Sequence, residues 1–410
     1  MLSLNYRFFK DIFSPVLSLV FFVLGTTLFT TFVSLRLKYL GFNDSDIGIA
    51  HAAFYGGYFA GSAYIGHFIY RVGHIRSFST FASINIITVM IQAESSSLWV
   101  WTISRFFTGI SVSALYCVVE GWLLSKSSIK VRGRVLALYM FALYFSQSSS
   151  QLFLDYVDVE SQALFFYTGL LVSISILPLS ITKSASPELS IYSSVSSYKL
   201  FQISSFGVSG CFFAGLMLSA VYSFTPLFAS EYEIKVSQIM ALTISGGFIF
   251  QWPIGKLSDI FDRRNVLITV CLLLSIPCIF LFFFQNEIFV LCSSFILGGF
   301  LFTIYPLSIN QVCDRVAEHH IHCAVARLSL VYGLGAILGP LIVPFFIMHL
   351  SYPALYLYLF SAVVILLLLG AYAVRKRSPV PLDSQGEYVP AHPRITSLTT
   401  ETIPTKNESS

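Results

Sequence analysis

The stretch ISGGFIFQWPIGKLSDIFDRRNVLITVCLLLSIPCIFLFFF, Ile244–Phe284, decides what kind of protein this is. Its five charged residues, Lys256, Asp259, Asp262, Arg263 and Arg264, fall within nine positions, and a charge-free apolar run flanks them on each side. A helix on a soluble domain keeps one polar face for water. Two charge-free runs of 20 residues, 236–255 and 265–284, joined by a short charged loop instead describe two helices, each long enough to cross a bilayer core of about 30 Å.

The rest of the chain extends this pattern. Of its 410 residues 56% are hydrophobic and 11% charged, whereas a soluble domain carries about 25% charged residues. Twelve spans are predicted: Pro15–Leu37, Asp46–Ile69, Phe78–Ala93, Trp99–Leu124, Arg134–Leu154, Ala163–Thr182, Gly207–Ser230, Ser237–Leu257, Val266–Phe284, Ile288–Asn310, Ala324–Met348 and Tyr352–Val374. The first carries no small-residue cleavage site and reads as a retained helix rather than a signal peptide. Seven cysteines without a CxxC pair read as small buried hydrophobes.

The basic residues orient these spans. With the N-terminus inside, eighteen of the 24 Lys and Arg lie in cytoplasmic segments and three in outer ones. This bias puts both termini in the cytoplasm. The expected domains are an N-terminal six-helix bundle (1–182), a serine-rich cytoplasmic linker (183–206), a C-terminal six-helix bundle (207–374) and a disordered tail (375–410).

The halves repeat each other. Gly57 matches Gly246, Gly66 matches Gly255, Gly109 matches Gly298 and Tyr116 matches Tyr305, each pair 189 positions apart. Parallel six-span repeats build one large transporter architecture, with the binding site where the halves meet. A membrane-tethered enzyme would need a clustered nucleophile and base, and none is found. Without a Walker motif, ATP-driven pumping by this chain alone is excluded. Gly333-Leu-Gly335 sits mid-helix with no strand before it, so it is no nucleotide fingerprint.

Gly66-His-Phe-Ile-Tyr-Arg71-Val-Gly73-His-Ile-Arg76 follows the second span, and Gly255-Lys-Leu-Ser-Asp259-Ile-Phe-Asp262-Arg263-Arg264 follows the eighth. Both resemble the loop motif of the major facilitator superfamily. Arg71-Val-Gly-His-Ile-Arg76, Arg132-Gly-Arg134 and Gln251-Trp-Pro-Ile-Gly-Lys-Leu-Ser-Asp259 are similar to its YcaD-type bacterial branch. The resemblance implies an all-α membrane fold of two six-helix pseudo-repeats in a bacterial inner membrane. It also implies a monomeric carrier for a small solute, facilitative or coupled to H+ or Na+, without cofactor, metal or nucleic acid. Gly66, Arg71, Gly73, Arg76, Gly255, Asp259, Arg263 and Arg264 would then form a cytoplasmic latch. Tyr70 stands where the family's first loop usually has an acid, so only the second copy keeps the acidic residue, as Asp259. Gly335-Ala-Ile-Leu-Gly339-Pro340 resembles a drug–proton antiporter signature, but that signature belongs to the fifth span, where this chain has Ser146 and Ser150. No antiport label follows.

Charges inside spans are costly and mark solute or ion pathways unless paired. Glu120, near the inner end of the fourth span, has Arg132 and Arg134 across a short loop. A similar arrangement in related sugar carriers implies a gate; the other readings are a headgroup-facing residue or a proton-coupling group. Arg105 either faces a cavity, binding an anion or coupling an ion, or snorkels to the outer interface beside Trp99 and Trp101. Arg105, Gly109, Val112, Tyr116 and Glu120 form one helical stripe, which separates the two charges by about 22 Å. Gln147, Gln151, Tyr222, Gln251, Tyr305 and Asn310 are either helix-packing contacts or solute ligands. His51 reads as structural or titrating, and His319, His320, His322 and Cys323 lack regular metal-ligand spacing. A receptor or scaffold that kept the carrier fold is the alternative function.

Overall fold

The structure, a computed structural model, describes residues 2–125, 127, 129–181, 197–317, 320–376, 380–381 and 385–392. Among these every regular element is helical. Residues 2–181 fall in one compact unit and 197–392 in another. The first unit contains α1 (Leu2–Tyr39), α2 (Asp44–Val72), α3 (His74–Glu94), α4 (Leu98–Ser125), α5 (Ile129–Gln151) and α6 (Ala163–Ser180). The second contains a short α7 (Ser197–Ile203), α8 (Ser205–Glu231), α9 (Val236–Ile260), α10 (Arg263–Phe283), α11 (Glu287–Cys313), α12 (Ile321–Leu350) and α13 (Ala354–Lys376).

Most helices overrun their apolar cores, because backbone hydrogen bonding continues past the last lipid-compatible residue. Gly73 separates α2 from α3 at φ 89°, a conformation that disfavours any Cβ, so α3 starts at His74, ahead of Phe78. α5 ends at Gln151 and passes into a 3-10 turn, Leu152–Tyr156, where the span was predicted to reach Leu154. Within the expected linker, Ser197–Ile203 is helical. Within the expected disordered tail, Gln385–His392 is held against the second unit by hydrogen bonds described below, which corrects that reading for these eight residues.

Polarity is turned inward. On α5, Ser146, Gln147, Ser150 and Gln151 are buried while Leu138, Phe141 and Phe145 are exposed. On α12, Leu334, Leu338, Leu341 and Phe345 are exposed. Such continuous apolar surface marks an interface with something other than water. Eight helices among the described residues, α1, α4, α6, α8 and α10 to α13, are long and apolar enough to cross a membrane.

The helix pairings of the two units correspond. α2 packs on α4, α3 on α4, α1 on α5 and α6, and α3 on α6; correspondingly α9 packs on α11, α10 on α11, α8 on α12 and α13, and α10 on α13. Tight seams fall on two of the three offset glycine pairs. A Cβ on Gly57 would overlap the carbonyl oxygen of Phe106, and one on Gly109 the carbonyl oxygen of Phe54. In the other unit Gly246 meets the carbonyl of Phe295 and Gly298 that of Thr243. Each of these contacts maps onto its counterpart when 189 is added to both numbers. Small residues let helix backbones approach this closely where lipid supplies no hydrophobic drive. Gly335 and Gly339 do the same for α12, against the Phe212 and Leu216 carbonyls of α8.

Candidate functional site

In the first unit the α4 stripe is buried throughout: Arg105, Val112, Tyr116 and Glu120 are each at most 1% exposed, and Gly109 forms the seam with α2. Arg105 does not reach the surface. Its guanidinium carbon stands 4.3 Å over the Phe54 ring centroid on α2, an arrangement that offsets part of the cost of burying the cation. One turn earlier on α2, buried His51 has Nε2 2.8 Å from Ser34 Oγ of α1. Trp99 is exposed, whereas Trp101 is buried with its indole N–H donated to the Ser95 carbonyl at 2.8 Å.

Glu120 points inward, and the Tyr139 hydroxyl of α5 donates to its Oε1 at 2.7 Å. Of the two arginines expected beside it, Arg134 is exposed and the Arg132 side chain lies outside the described residues. Gln147 and Gln151 are both buried, and Gln151 Oε1 accepts from Thr31 Oγ1 at 2.8 Å, tying α5 to α1. At the first loop Tyr70, Arg71 and Arg76 are exposed, and Gly66 faces open space.

The second loop is organised differently. Arg263 is 2% exposed and donates through one nitrogen to both Asp314 oxygens, at 2.8 and 2.9 Å, and through the other to Asp259 Oδ1 at 3.3 Å. Arg264 pairs with Asp262 at 2.6 Å. Burial raises the Asp262 carboxyl, but hydrogen bonds from the Arg264 side chain and backbone outweigh it and hold the group below the ordinary range. Asp314, just past α11, is pushed up to about 6 by burial, against the opposing pull of Arg263, the Gly386 N–H and Arg315.

The remaining neutral polar residues scatter through this unit. Tyr222 packs edge-on against Phe302, and Gln251 is buried on α9. The Tyr305 hydroxyl is 3.0 Å from Ser329 Oγ. Asn310 binds the backbone of Val389 in both directions, donating from Nδ2 at 2.9 Å and accepting at Oδ1 at 3.1 Å. Sequence reasoning missed Tyr139, Asp314 and residues 385–392. Only Asp314 left a readable signal, as an acid four residues past the end of a predicted span, beside Arg315. His319 and the His322 side chain lie outside the described residues.

Comparison with known proteins agrees with this architecture. The family profile described as Major Facilitator Superfamily matches residues 207–399, and that described as Sugar (and other) transporter matches residues 20–180. The uncharacterized MFS-type transporter YcaD of Escherichia fergusonii is 28% identical over 359 residues, covering 86% of this chain and 92% of the relative. Its counterpart in Escherichia coli is 28% identical over 360 residues with the same coverage. The nucleoside transporter NupG has a similar fold, with a TM-score of 0.71 at 14% identity over 90% of this chain and 100% of that one. The D-xylose-proton symporter gives a TM-score of 0.71 at 14% identity over 91% and 99%. Transporter families thus match on either side of residue 200, a transporter relative matches along most of the chain, and the chain belongs to the major facilitator superfamily of membrane transporters.

Proposed function

We propose that the chain is a secondary transporter that moves a small polar solute by alternating access, facilitatively or coupled to H+ or Na+. In this reading all twelve long helices cross a bacterial inner membrane as two parallel six-helix repeats, with both termini in the cytoplasm. The glycine seams that recur at the 189 offset support the duplication. The four long helices of lower apolarity, α2, α3, α5 and α9, cross with their polar faces turned into the protein.

The observation that carries the transport reading is the pair of buried charges on α4. A helix otherwise apolar enough to span a bilayer keeps Arg105 and Glu120 out of lipid, and such residues belong to solute or ion pathways. Arg105, over Phe54, is the anion-binding or coupling residue. Glu120 with Tyr139, and Asp259 with Arg263 and Asp314, hold the gate at the cytoplasmic ends. The test begins with a thermal-stabilisation screen of purified protein against small anions, sugars and nucleosides. A stabilising solute is then followed for uptake into proteoliposomes with and without a pH or Na+ gradient. Stabilisation without flux would leave a receptor in place of a carrier.

A further inference from the structure

Extended chain pays about 1–2 kcal/mol of backbone entropy per residue to be held in one conformation, so a docked terminal segment needs specific partners. Residues 385–392 have them. The Gly386 carbonyl accepts from Arg263, and the Gly386 N–H donates to Asp314 Oδ1 at 3.2 Å. The Tyr388 N–H donates to Asp259 Oδ1 at 2.7 Å, and Val389 is bound through both backbone groups by Asn310. Between these bonds the Tyr388 ring lies against Gly255, where any Cβ would overlap it. Gln385 and His392 are buried at the two ends.

We infer that residues 385–392 are an intramolecular strap, and that the Gly255–Arg264 end of the second unit is a peptide-binding surface built for them. Backbone groups give the affinity and one aromatic ring gives the register, a division seen wherever extended peptides are captured. Asp259, Arg263 and Asn310 are among the residues the sequence assigns to the gate or the solute site, and in the docked state their hydrogen-bonding groups are taken by this segment. Among the described residues the first unit has no such contact at the equivalent place: a Cβ on Gly66, the counterpart of Gly255, would meet nothing within 4 Å. While docked, the strap ties the end of α9 to the start of α10 and the end of α11, so movement of that loop requires its release. The docking stands without the transport reading; only its effect on turnover rests on it.

Hydrogen–deuterium exchange on the full chain in lipid nanodiscs tests the strap and needs no solute. Stopping the chain after residue 384 should speed exchange about tenfold at amides 259–264 and 312–317. Tyr388→Ala, which leaves α9 untouched, and Gly255→Val should do the same. Tyr388→Phe should match the parent, because the ring and not the hydroxyl makes the contact. A synthetic peptide of residues 385–392 should restore protection to the stopped chain and not to its Gly255→Val form. Unchanged exchange in the stopped chain, or failure of the peptide to re-protect it, overturns the strap. A carrier that transports nothing leaves this result intact, so the two readings fail separately.

Discussion

Tyr139 and Glu120 form a buried pair: the phenol donates a 2.7 Å hydrogen bond to the carboxyl, and neither side chain is more than 1% exposed. The bond joins α5 to α4 near the ends expected to face the cytoplasm. Removing one partner from a buried pair costs more than the bond itself is worth, because the other is left desolvated.

Tyr139→Phe should therefore destabilise the protein by about 1–3 kcal/mol. Glu120→Gln keeps an acceptor for the phenol and should cost less. A double-mutant cycle on thermal unfolding in detergent checks this, and additive losses would show that the two side chains do not act together.

The glycine seams predict a contrast among identical substitutions. Gly57→Ala and Gly246→Ala each press a methyl into a facing carbonyl and should cost about 1–3 kcal/mol by overpacking. Gly66→Ala meets open space inside α2 and should gain about 0.5–1 kcal/mol from helix propensity. Melting temperatures of the three variants decide it. Equal effects at Gly57 and Gly66 would remove the seam.

The Asp314 carboxyl sets a pH dependence. Its value of about 6 lies above the ordinary 3.8, so the folded chain holds the proton more tightly than the unfolded one. The stability it contributes is complete below about pH 4 and is lost as pH rises through about 6. Arg263, Arg315 and the Gly386 N–H all oppose that rise. The protein should gain thermal stability on going from about pH 7 to pH 5, and Asp314→Asn should flatten the gain. An unaltered profile in the variant would assign the titration elsewhere.

Arg105 should tolerate lysine poorly. Lysine keeps the charge but loses the planar face set over Phe54, a contact worth about 0.5–2 kcal/mol. Arg105→Lys and Phe54→Leu should both weaken stabilisation by whichever solute the screen finds, and Arg105→Gln should abolish it. Full retention in Arg105→Gln would take this residue out of the solute path.

The long helices were legible because a helix in lipid needs some 20 apolar residues whatever it packs against. The Gly57 and Gly246 seams were legible because a duplicated contact repeats its numbers. The bond from Tyr139 to Glu120 was not, because helix rotation, invisible in sequence, brings together two side chains 19 positions apart. The segment 385–392 escaped for another reason. Its binding uses backbone groups and a single ring, which leave no trace in composition, so a Pro- and Ser-rich stretch read as disordered.

The contact between Arg263 and the Gly386 carbonyl joins positions 123 residues apart, with four membrane-length helices, α10 to α13, made in between. At about 5–20 residues per second, the ribosome releases the arginine some 6–25 s before its carbonyl partner. For that interval α9, α10 and α11 must find their places with the surface bare. The strap is thus a closing step in biogenesis, fastened onto a unit that has already assembled.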